Sequence, residues 1–222
     1  MSIEWVFFDL NGTLVDPSVL AQPFGDSADA EDLVLAALDV AVAQAMAVTL
    51  AGGDDAFPDL LEAALRRGLT LAGDDPERAS DSIALLGSMP AFIEAPGALE
   101  RLRGEGLRLG VLTQSATEAA EGVLRFAGLR DRMDFVIGSD RTGSFKPAPP
   151  TYRAAVEAAG VGPRELCLVS AHWWDVLGAS RAGVRTGWVA RRERVLLSSV
   201  PEPDVTGRDL DEVAERIVAA RL

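Results

Sequence analysis

Disulfide bonds and long hydrophobic segments are both missing from this sequence of 222 residues. Its one cysteine, Cys167, excludes a disulfide within the chain and lies in the apolar run 166–169, so we expect a buried thiol. No apolar run approaches the roughly 20 residues of a membrane-spanning helix, and no basic segment followed by an apolar stretch opens the sequence. These features predict a cytoplasmic protein without a membrane partner.

Positive charge is scarce as well. The sequence has 34 Asp and Glu against 21 Lys and Arg, which gives a formal net charge of −13. A field of this sign repels nucleic acids and anionic membrane surfaces, so we expect neither as a partner. Residues 1–65 contain no lysine or arginine. An anionic small-molecule substrate would therefore need a local positive site.

The order of the apolar segments predicts an α/β fold. A first strand is expected at 3–8, apolar on both faces as in parallel sheets, and helices follow at 31–50, 57–67 and 75–86. Strands and helices then alternate as in βαβ units: strands at 107–113, 135–137, 166–170 and 185–189, helices at 96–104, 117–127, 149–159, 173–182 and 209–220. The sequence thus predicts a doubly wound parallel core, residues 1–15 and 90–222, with a helical cap, residues 16–89, inserted after the first strand.

Polar residues follow the last apolar residue of four predicted strands. In chain order these residues are Asp9 and Asn11; Thr113, Gln114 and Ser115; Ser139, Asp140 and then Lys146; and Ser170, His172 and Asp175. Because ligands in such sheets bind beyond the carboxyl ends of the strands, we expect these groups to converge on one edge. Asp9 is a candidate nucleophile there, the alternative being an aspartate that only caps the turn at Gly12.

These segments resemble the four ordered motifs of the haloacid dehalogenase superfamily. The matching residues are 9–14 (Asp-Leu-Asn-Gly-Thr-Leu), 112–115, 145–147 together with Tyr152, and 170–175 (Ser-Ala-His-Trp-Trp-Asp). The resemblance covers nearly the whole chain, with the helical insert in the place of the family's cap. It implies a Rossmann-like core and a covalent ester between the substrate and Asp9.

Most members of that superfamily are magnesium-dependent phosphatases, and this sequence departs from their pattern. Asn11 stands where they carry a second acid, and an amide cannot protonate a leaving alkoxide near neutral pH. Ser170 and Ala171 occupy the place of a metal-binding motif, which would leave mainly Asp9 and Asp175 for magnesium. We therefore expect no metal or other cofactor, with magnesium as the alternative.

The type II 2-haloacid dehalogenases, whose fourth motif reads Ser-x-Asn-x-Trp-Asp, are more similar. The resemblance implies that Asp9 attacks the halogen-bearing carbon and that water then hydrolyses the ester. It implies further that Lys146 keeps Asp9 ionised and that Asp175 orients Lys146 and the water. Family positions that bind the nucleophile or the substrate are matched by Thr13, Thr113, Ser170 and Tyr152, and we add Gln114 and Trp174 as candidate substrate-binding residues.

Two residues of that branch are replaced here. Its cap arginine, which receives halide and substrate carboxylate, aligns near Val40, so either Gln44, Asn11 and a tryptophan indole form the halide cradle or the substrate is not a short 2-haloacid. His172, the only histidine, replaces the asparagine of the fourth motif. It is either the base for ester hydrolysis or a hydrogen-bonding substitute.

The sequence therefore predicts a hydrolase that cleaves a carbon–halogen bond of a small molecule without a metal. The alternatives are a magnesium-dependent phosphatase and a catalytically impaired binding protein with the same fold. We expect a monomer or a homodimer.

Overall fold

A six-stranded parallel sheet forms the centre of the computed structural model, which describes residues 2–25 and 28–220. The strands are β1 Trp5–Phe8, β2 Arg108–Leu112, β3 Phe135–Ile137, β4 Leu166–Ser170, β5 Arg185–Val189 and β6 Val205–Gly207. Their order is β3-β2-β1-β4-β5-β6, with every neighbouring pair parallel. The direction of winding reverses beside β1, which is where doubly wound sheets bind ligands. The predicted Rossmann-like α/β fold is confirmed.

Helices cover the sheet and form the segment between β1 and β2. The α-helices of the described residues are α1 Ala28–Ala51, α2 Phe57–Ala72, α3 Ala79–Ile83, α4 Ala95–Gly104, α5 Thr117–Phe126, α6 Ser139–Thr142, α7 Pro149–Ala159, α8 Trp173–Arg181 and α9 Leu210–Ala220. Short 3-10 helices lie at Pro17–Phe24, Pro76–Arg78, Leu86–Ser88, Arg130–Arg132 and Pro163–Glu165.

Strand β1 is buried on both faces because its side chains alternate between two hydrophobic clusters. Val6 and Phe8 belong to one cluster, and Trp5 and Phe7 belong to the other. A Cβ atom at Gly110 of β2 would lie 2.6 Å from the Phe7 ring, so the glycine makes room for this aromatic side chain. Burying a side chain of this size contributes about 1.5–3 kcal/mol to the free energy of unfolding.

The helical insert, residues 17–88, has a hydrophobic cluster of its own. Helices α1 and α2 pack against each other, and α2 contributes Leu61, Leu65 and Leu69, which lie four residues apart on one face. The two segments that join the insert to the sheet pair with each other, because Phe92 N donates to Leu14 O at 3.0 Å. The insert is thereby held beside the carboxyl end of β1.

The structure corrects three sequence-based expectations about secondary structure. Strand β6 and helix α6 are both too short to produce a periodic apolar pattern, and neither was predicted. The helix expected at 75–86 is interrupted: only Ala79–Ile83 is α-helical, with 3-10 turns on either side. Gly87 and Ser88 are weak helix formers, and both lie in the 3-10 turn Leu86–Ser88 that follows the α-helix.

Helix α1 corrects the expectation that no segment approaches the length of a membrane span. By length and composition alone, residues 29–51 are long and apolar enough to cross a membrane. An 18-residue window within them has a mean hydropathy of 2.1, and 22% of that window is buried. In the folded chain the buried face of α1, which includes Val34, Ala37 and Ala41, belongs to the same hydrophobic cluster as α2.

Candidate active site

Asp9 follows β1 and extends its hydrogen bonding to β4, because Asp9 N donates to Val169 O at 3.0 Å. The carboxylate is almost completely buried and accepts hydrogen bonds on both oxygens. Thr13 Oγ1 donates to Oδ2 at 3.0 Å, and Lys146 Nζ donates to Oδ1 at 2.7 Å. Gly12 has a φ of 79°, which lets the chain turn back so that Thr13 reaches the carboxylate.

Lys146 is the only lysine of the chain, and its side chain is fully buried. All three ammonium protons have acceptors: Asp9 Oδ1 at 2.7 Å, Asp175 Oδ2 at 2.7 Å and Leu112 O at 2.9 Å. Burial by itself would lower the pKa of Lys146, but the charges of Asp175 and Asp9 outweigh it and raise the pKa above its ordinary value. The ammonium therefore stays charged at neutral pH.

Asp175 bonds Lys146 from behind the cavity wall. Its second oxygen, Oδ1, accepts a hydrogen bond from Tyr152 OH at 2.8 Å. Burial raises the pKa of Asp175 against the opposing effect of Lys146, and burial also raises the pKa of Tyr152 well above its ordinary value. A Cβ atom at Gly178 would collide with Tyr152 OH, so the glycine lets helix α8 lie against this tyrosine.

Gln114 fixes the backbone of Lys146 by a reciprocal pair of hydrogen bonds. Lys146 N donates to Gln114 Oε1 at 2.8 Å, and Gln114 Nε2 donates to Lys146 O at 3.0 Å. Thr113 Oγ1 accepts from Ser115 N at 3.2 Å, which orders the turn after β2. The residues that follow β2 therefore hold the lysine in position as well as facing the site.

His172 lies at the opposite side of Asp9. Its Nε2 is 2.9 Å from Asn11 O and 3.5 Å from Asp9 Oδ2. Because a backbone carbonyl only accepts hydrogen bonds, Nε2 carries the proton in this arrangement. The ring stacks on Trp174 with centroids 5.0 Å apart, and His172 N donates to Ser170 Oγ at 3.2 Å. In this tautomer the ring nitrogen nearest Asp9 is a donor.

A cavity of about 410 Å³ opens above these groups, between the sheet edge and the helical insert. The predicted site residues in its wall are Asp9, Asn11, Thr113, Gln114, His172 and Trp174. The predicted residues that lie behind the wall are Thr13, Lys146, Tyr152, Ser170 and Asp175, all of them buried. The structure therefore brings eleven of the twelve predicted residues together, in an inner and an outer layer.

Two expectations about individual residues need correction. Gln44 does not line the cavity: its amide donates to Leu60 O at 3.2 Å, inside the helical insert, and it cannot form part of a halide cradle there. Asp175 is fully buried with both oxygens bonded to Lys146 and Tyr152. It is placed to orient Lys146 and not a water molecule in the cavity.

Two arginines after β5 line the cavity and were missed. Arg191 Nη2 is 2.6 Å from Glu94 Oε1, and its guanidinium lies 3.7 Å from the centre of the Phe92 ring. Arg192 joins the core to the insert, with Nη2 2.9 Å from Asp39 Oδ2 of α1. The sequence could have predicted both arginines at the site, because they follow the carboxyl end of the strand expected at 185–189. Lys146 is therefore not the only cation near the site.

The donor set does not suit magnesium. In the described part of the chain no group of three or more His, Cys, Asp or Glu could hold a metal ion. The two carboxylates near each other, Asp9 and Asp175, both bond the ammonium of Lys146, which lies between them. A dication at this point would face that positive charge, and Ser170 and Ala171 supply no further carboxylate.

Known proteins resemble the chain over most of its length. The profile of a family described as haloacid dehalogenase-like hydrolase matches residues 3–183. The (S)-2-haloacid dehalogenase of Pseudomonas sp. (strain YL) is 32% identical over 162 residues, which are 72% of this chain and 69% of that protein. Haloacetate dehalogenase H-2 of Moraxella sp. (strain B) is 31% identical over 57% of this chain, and the match spans only 56% of its own length.

A phosphatase and a solved dehalogenase structure are similar as well. Glyceraldehyde 3-phosphate phosphatase of Pyrococcus abyssi (strain GE5 / Orsay) is 33% identical over 84% of this chain and 81% of that protein. The crystal structure of the L-2-haloacid dehalogenase RSc1362 superposes with a TM-score of 0.91 at 27% identity, covering 98% of this chain and 100% of that one.

Proposed function

The chain belongs to the haloacid dehalogenase-like hydrolases, and on this premise we propose that it hydrolyses a carbon–halogen bond of a small molecule, with Asp9 as the covalent nucleophile and without a metal ion. The observation that carries the proposal is the position of Lys146 Nζ, 2.7 Å from both Asp9 and Asp175. The ammonium lies beside the proposed nucleophile and bonds its Oδ1 directly, with no metal ion needed to hold that oxygen.

In the first step a carboxylate oxygen of Asp9 attacks the halogen-bearing carbon. A carbon–oxygen bond forms, the carbon–halogen bond breaks, and the halide leaves with the bonding electron pair. Halide is a weak base that needs no proton, so Asn11 beside the nucleophile is compatible with this chemistry. Asn11 lines the cavity, and within the described residues its buried Oδ1 has no hydrogen-bond partner.

In the second step water attacks the Cγ atom of the ester on Asp9. Lys146 Nζ bonds Oδ1 and Thr13 Oγ1 bonds Oδ2, so the oxygen that remains the ester carbonyl keeps one donor for its developing negative charge, and the other donor faces the oxygen that departs with the substrate. Collapse of this intermediate breaks the bond between Cγ and the substrate oxygen, which returns the carboxylate and releases an alcohol. One proton and one halide are released for each water consumed.

We also propose a domain division, a location and an oligomeric state. We assign residues 1–15 and 90–222 to a core domain and residues 16–89 to a cap over the active site, and we expect a cytoplasmic monomer or homodimer. The similarity to a phosphatase over 84% of the chain keeps phosphate-ester hydrolysis as the second candidate. A binding protein without turnover is the third.

Parallel release assays separate these candidates. One assay measures bromide release from 2-bromo acids and amides, and the other measures phosphate release from p-nitrophenyl phosphate. Both are run with magnesium and with a chelator, and Asp9→Asn is the control. We expect bromide release that persists in the chelator and is lost in the variant. In ¹⁸O-labelled water, multiple turnovers should place ¹⁸O in the peptide that contains Asp9. Phosphate release that requires magnesium would overturn the proposal, and inactivity in both assays would favour the binding protein.

A further inference from the structure

The wall of the cavity that faces the nucleophile from the helical insert is hydrocarbon. Helix α1 contributes residues spaced three or four apart, which places them on one helix face: Glu31, Val34, Leu35, Leu38, Asp39 and Val42. Phe57 of α2 and Phe92, beyond the insert, extend this apolar wall. The charged members of the α1 face are both acidic, so a substrate carboxylate would meet hydrocarbon and charge of its own sign.

Among the described residues, the two arginines of the cavity wall and Lys146 behind it each have a carboxylate partner. Lys146 bonds Asp9 and Asp175, Arg191 bonds Glu94, and Arg192 bonds Asp39, with the closest distances between 2.6 and 2.9 Å. The acidic side chains of the wall outnumber the two arginines; they are Asp9, Asp16, Glu31, Asp39 and Glu193. An incoming anion would lose its hydration, would meet this excess of negative charge and would have to compete with a carboxylate for each cation, which costs free energy.

The cavity is also large for a short acid. Its volume of about 410 Å³ lies in the range of sites that hold drug-sized ligands, roughly 300–1,000 Å³. A two- or three-carbon acid would leave most of the apolar wall in contact with water. A longer alkyl body would cover Leu35, Leu38 and Val42, which are partly exposed, and would gain free energy for each buried methylene group.

We propose that the substrate is uncharged and mainly apolar, an organohalide with a body of about six carbons or more, and not a short 2-haloacid anion. This inference rests on the proposed function, since the halide leaves from the carbon that Asp9 attacks. Specificity comes from the apolar face of α1 and from the carboxylate partners of Arg191 and Arg192, with which a substrate carboxylate would have to compete.

Two compounds of nearly equal size test the charge preference. 2-Bromohexanamide and 2-bromohexanoate differ in charge, and 2-bromopropionamide differs from the first only in chain length. We expect kcat/KM for bromide release to be at least about tenfold higher for the hexanamide than for either of the others. A preference for the hexanoate, or equal rates for acid and amide, would overturn the inference.

Substitutions on α1 provide a matched comparison. Leu38→Arg places a guanidinium in the apolar wall, whereas Ala36→Arg places it on the exposed side of the same helix. Leu38→Arg should shift the ratio of kcat/KM for hexanoate over hexanamide by about tenfold or more toward the acid, and Ala36→Arg should leave the ratio unchanged. Equal shifts in both variants would contradict the assignment of this face.

A binding measurement distinguishes failure of the inference from failure of the proposed function. Calorimetry with Asp9→Asn compares the two hexanoyl compounds without turnover; the substitution removes one negative charge and so favours the acid. If the wild-type enzyme releases no bromide, the proposed function fails, and tighter binding of the amide still supports the substrate class. Binding of the acid with equal or higher affinity, or of neither compound, overturns it.

Discussion

Lys146 Nζ lies 2.7 Å from Asp9 Oδ1, although 137 residues separate the two along the chain. The contact forms because β1 is the neighbour of β2, whose last residue, Leu112, also accepts a hydrogen bond from Nζ at 2.9 Å. Lys146 is fully buried, whereas Asp9 keeps a small exposed surface in the cavity wall. The contact therefore supports the buried sheet edge and lies at the site proposed for the chemistry.

Replacing Lys146 with methionine should remove activity and stability together. The change leaves two buried carboxylates without their common cation, which should lower the free energy of unfolding by about 3–5 kcal/mol. Loss of the ammonium from the ester oxygen should lower kcat for bromide release by about 10²-fold or more. Urea denaturation and steady-state kinetics measure the two effects. A folded variant with more than a tenth of the activity would show that the lysine does not support the chemistry.

The raised pKa of Lys146 predicts a flat alkaline limb of the pH profile. Because the ammonium in the folded protein holds its proton above the ordinary pKa of 10.5, its deprotonation should not reduce kcat/KM between pH 7 and 10. The same shift contributes stability below the ordinary pKa, and this contribution is lost as the pH rises through the folded-state pKa. If the protein stays folded but loses activity below pH 9 because Lys146 deprotonates, the raised pKa of Lys146 is contradicted.

Tyr152→Phe should mainly change stability. The substitution removes the hydrogen bond to Asp175 Oδ1 and leaves a buried carboxylate oxygen without a donor, which should cost about 1–3 kcal/mol. Because Tyr152 lies behind the cavity wall, KM should change little. Equilibrium unfolding in urea measures the loss, and an unfolding free energy equal to that of wild type would rule out this support for Asp175.

His172→Asn separates the two roles considered for the histidine. With Nε2 donating to Asn11 O, we expect a hydrogen-bonding role, and asparagine can also donate, so kcat should fall less than about tenfold. Loss of a general base would cost about 10²–10⁴-fold and would let the ester on Asp9 accumulate. Intact-mass spectrometry of the protein quenched during turnover detects that ester. Its accumulation in the variant would assign His172 as the base.

The ion pair between Arg192 and Asp39 should contribute little to stability despite joining the core to the insert. Both side chains are at least half exposed, and such pairs contribute about 0.2–1 kcal/mol. A double-mutant cycle with Arg192→Ala and Asp39→Ala should give a coupling energy in this range that decreases in high salt. A coupling above 2 kcal/mol that persists in salt would identify a much stronger connection.

Much of the core was predictable because each signal is local. The apolar run before Asp9 and the matching runs at 166–170 and 185–189 specify strands through neighbouring residues alone. Polar residues directly after these runs must then meet, since parallel strands present their carboxyl ends at one edge. The same rule, applied to β5, would have added Arg191 and Arg192 to the predicted site.

The helical insert was less predictable because the sequence of its longest helix, α1, does not separate apolar and polar residues onto two faces. Helix α1 is rich in alanine, valine and leucine around its circumference, so periodicity cannot say which side faces the core. Gln44 was expected at the substrate and instead bonds the backbone of α2. The side that faces Asp9 is set by packing against α2, which no pattern within α1 alone reveals.

The sequence by itself determined five of the six strands and most of the groups that gather at the sheet edge, because strand formation and chain reversal depend on adjacent residues. Only the tertiary structure decided which charges are paired, which face of α1 covers Asp9 and what volume is left between them. Those properties arise from contacts between residues distant in sequence, such as Arg192 with Asp39, and no local pattern encodes them.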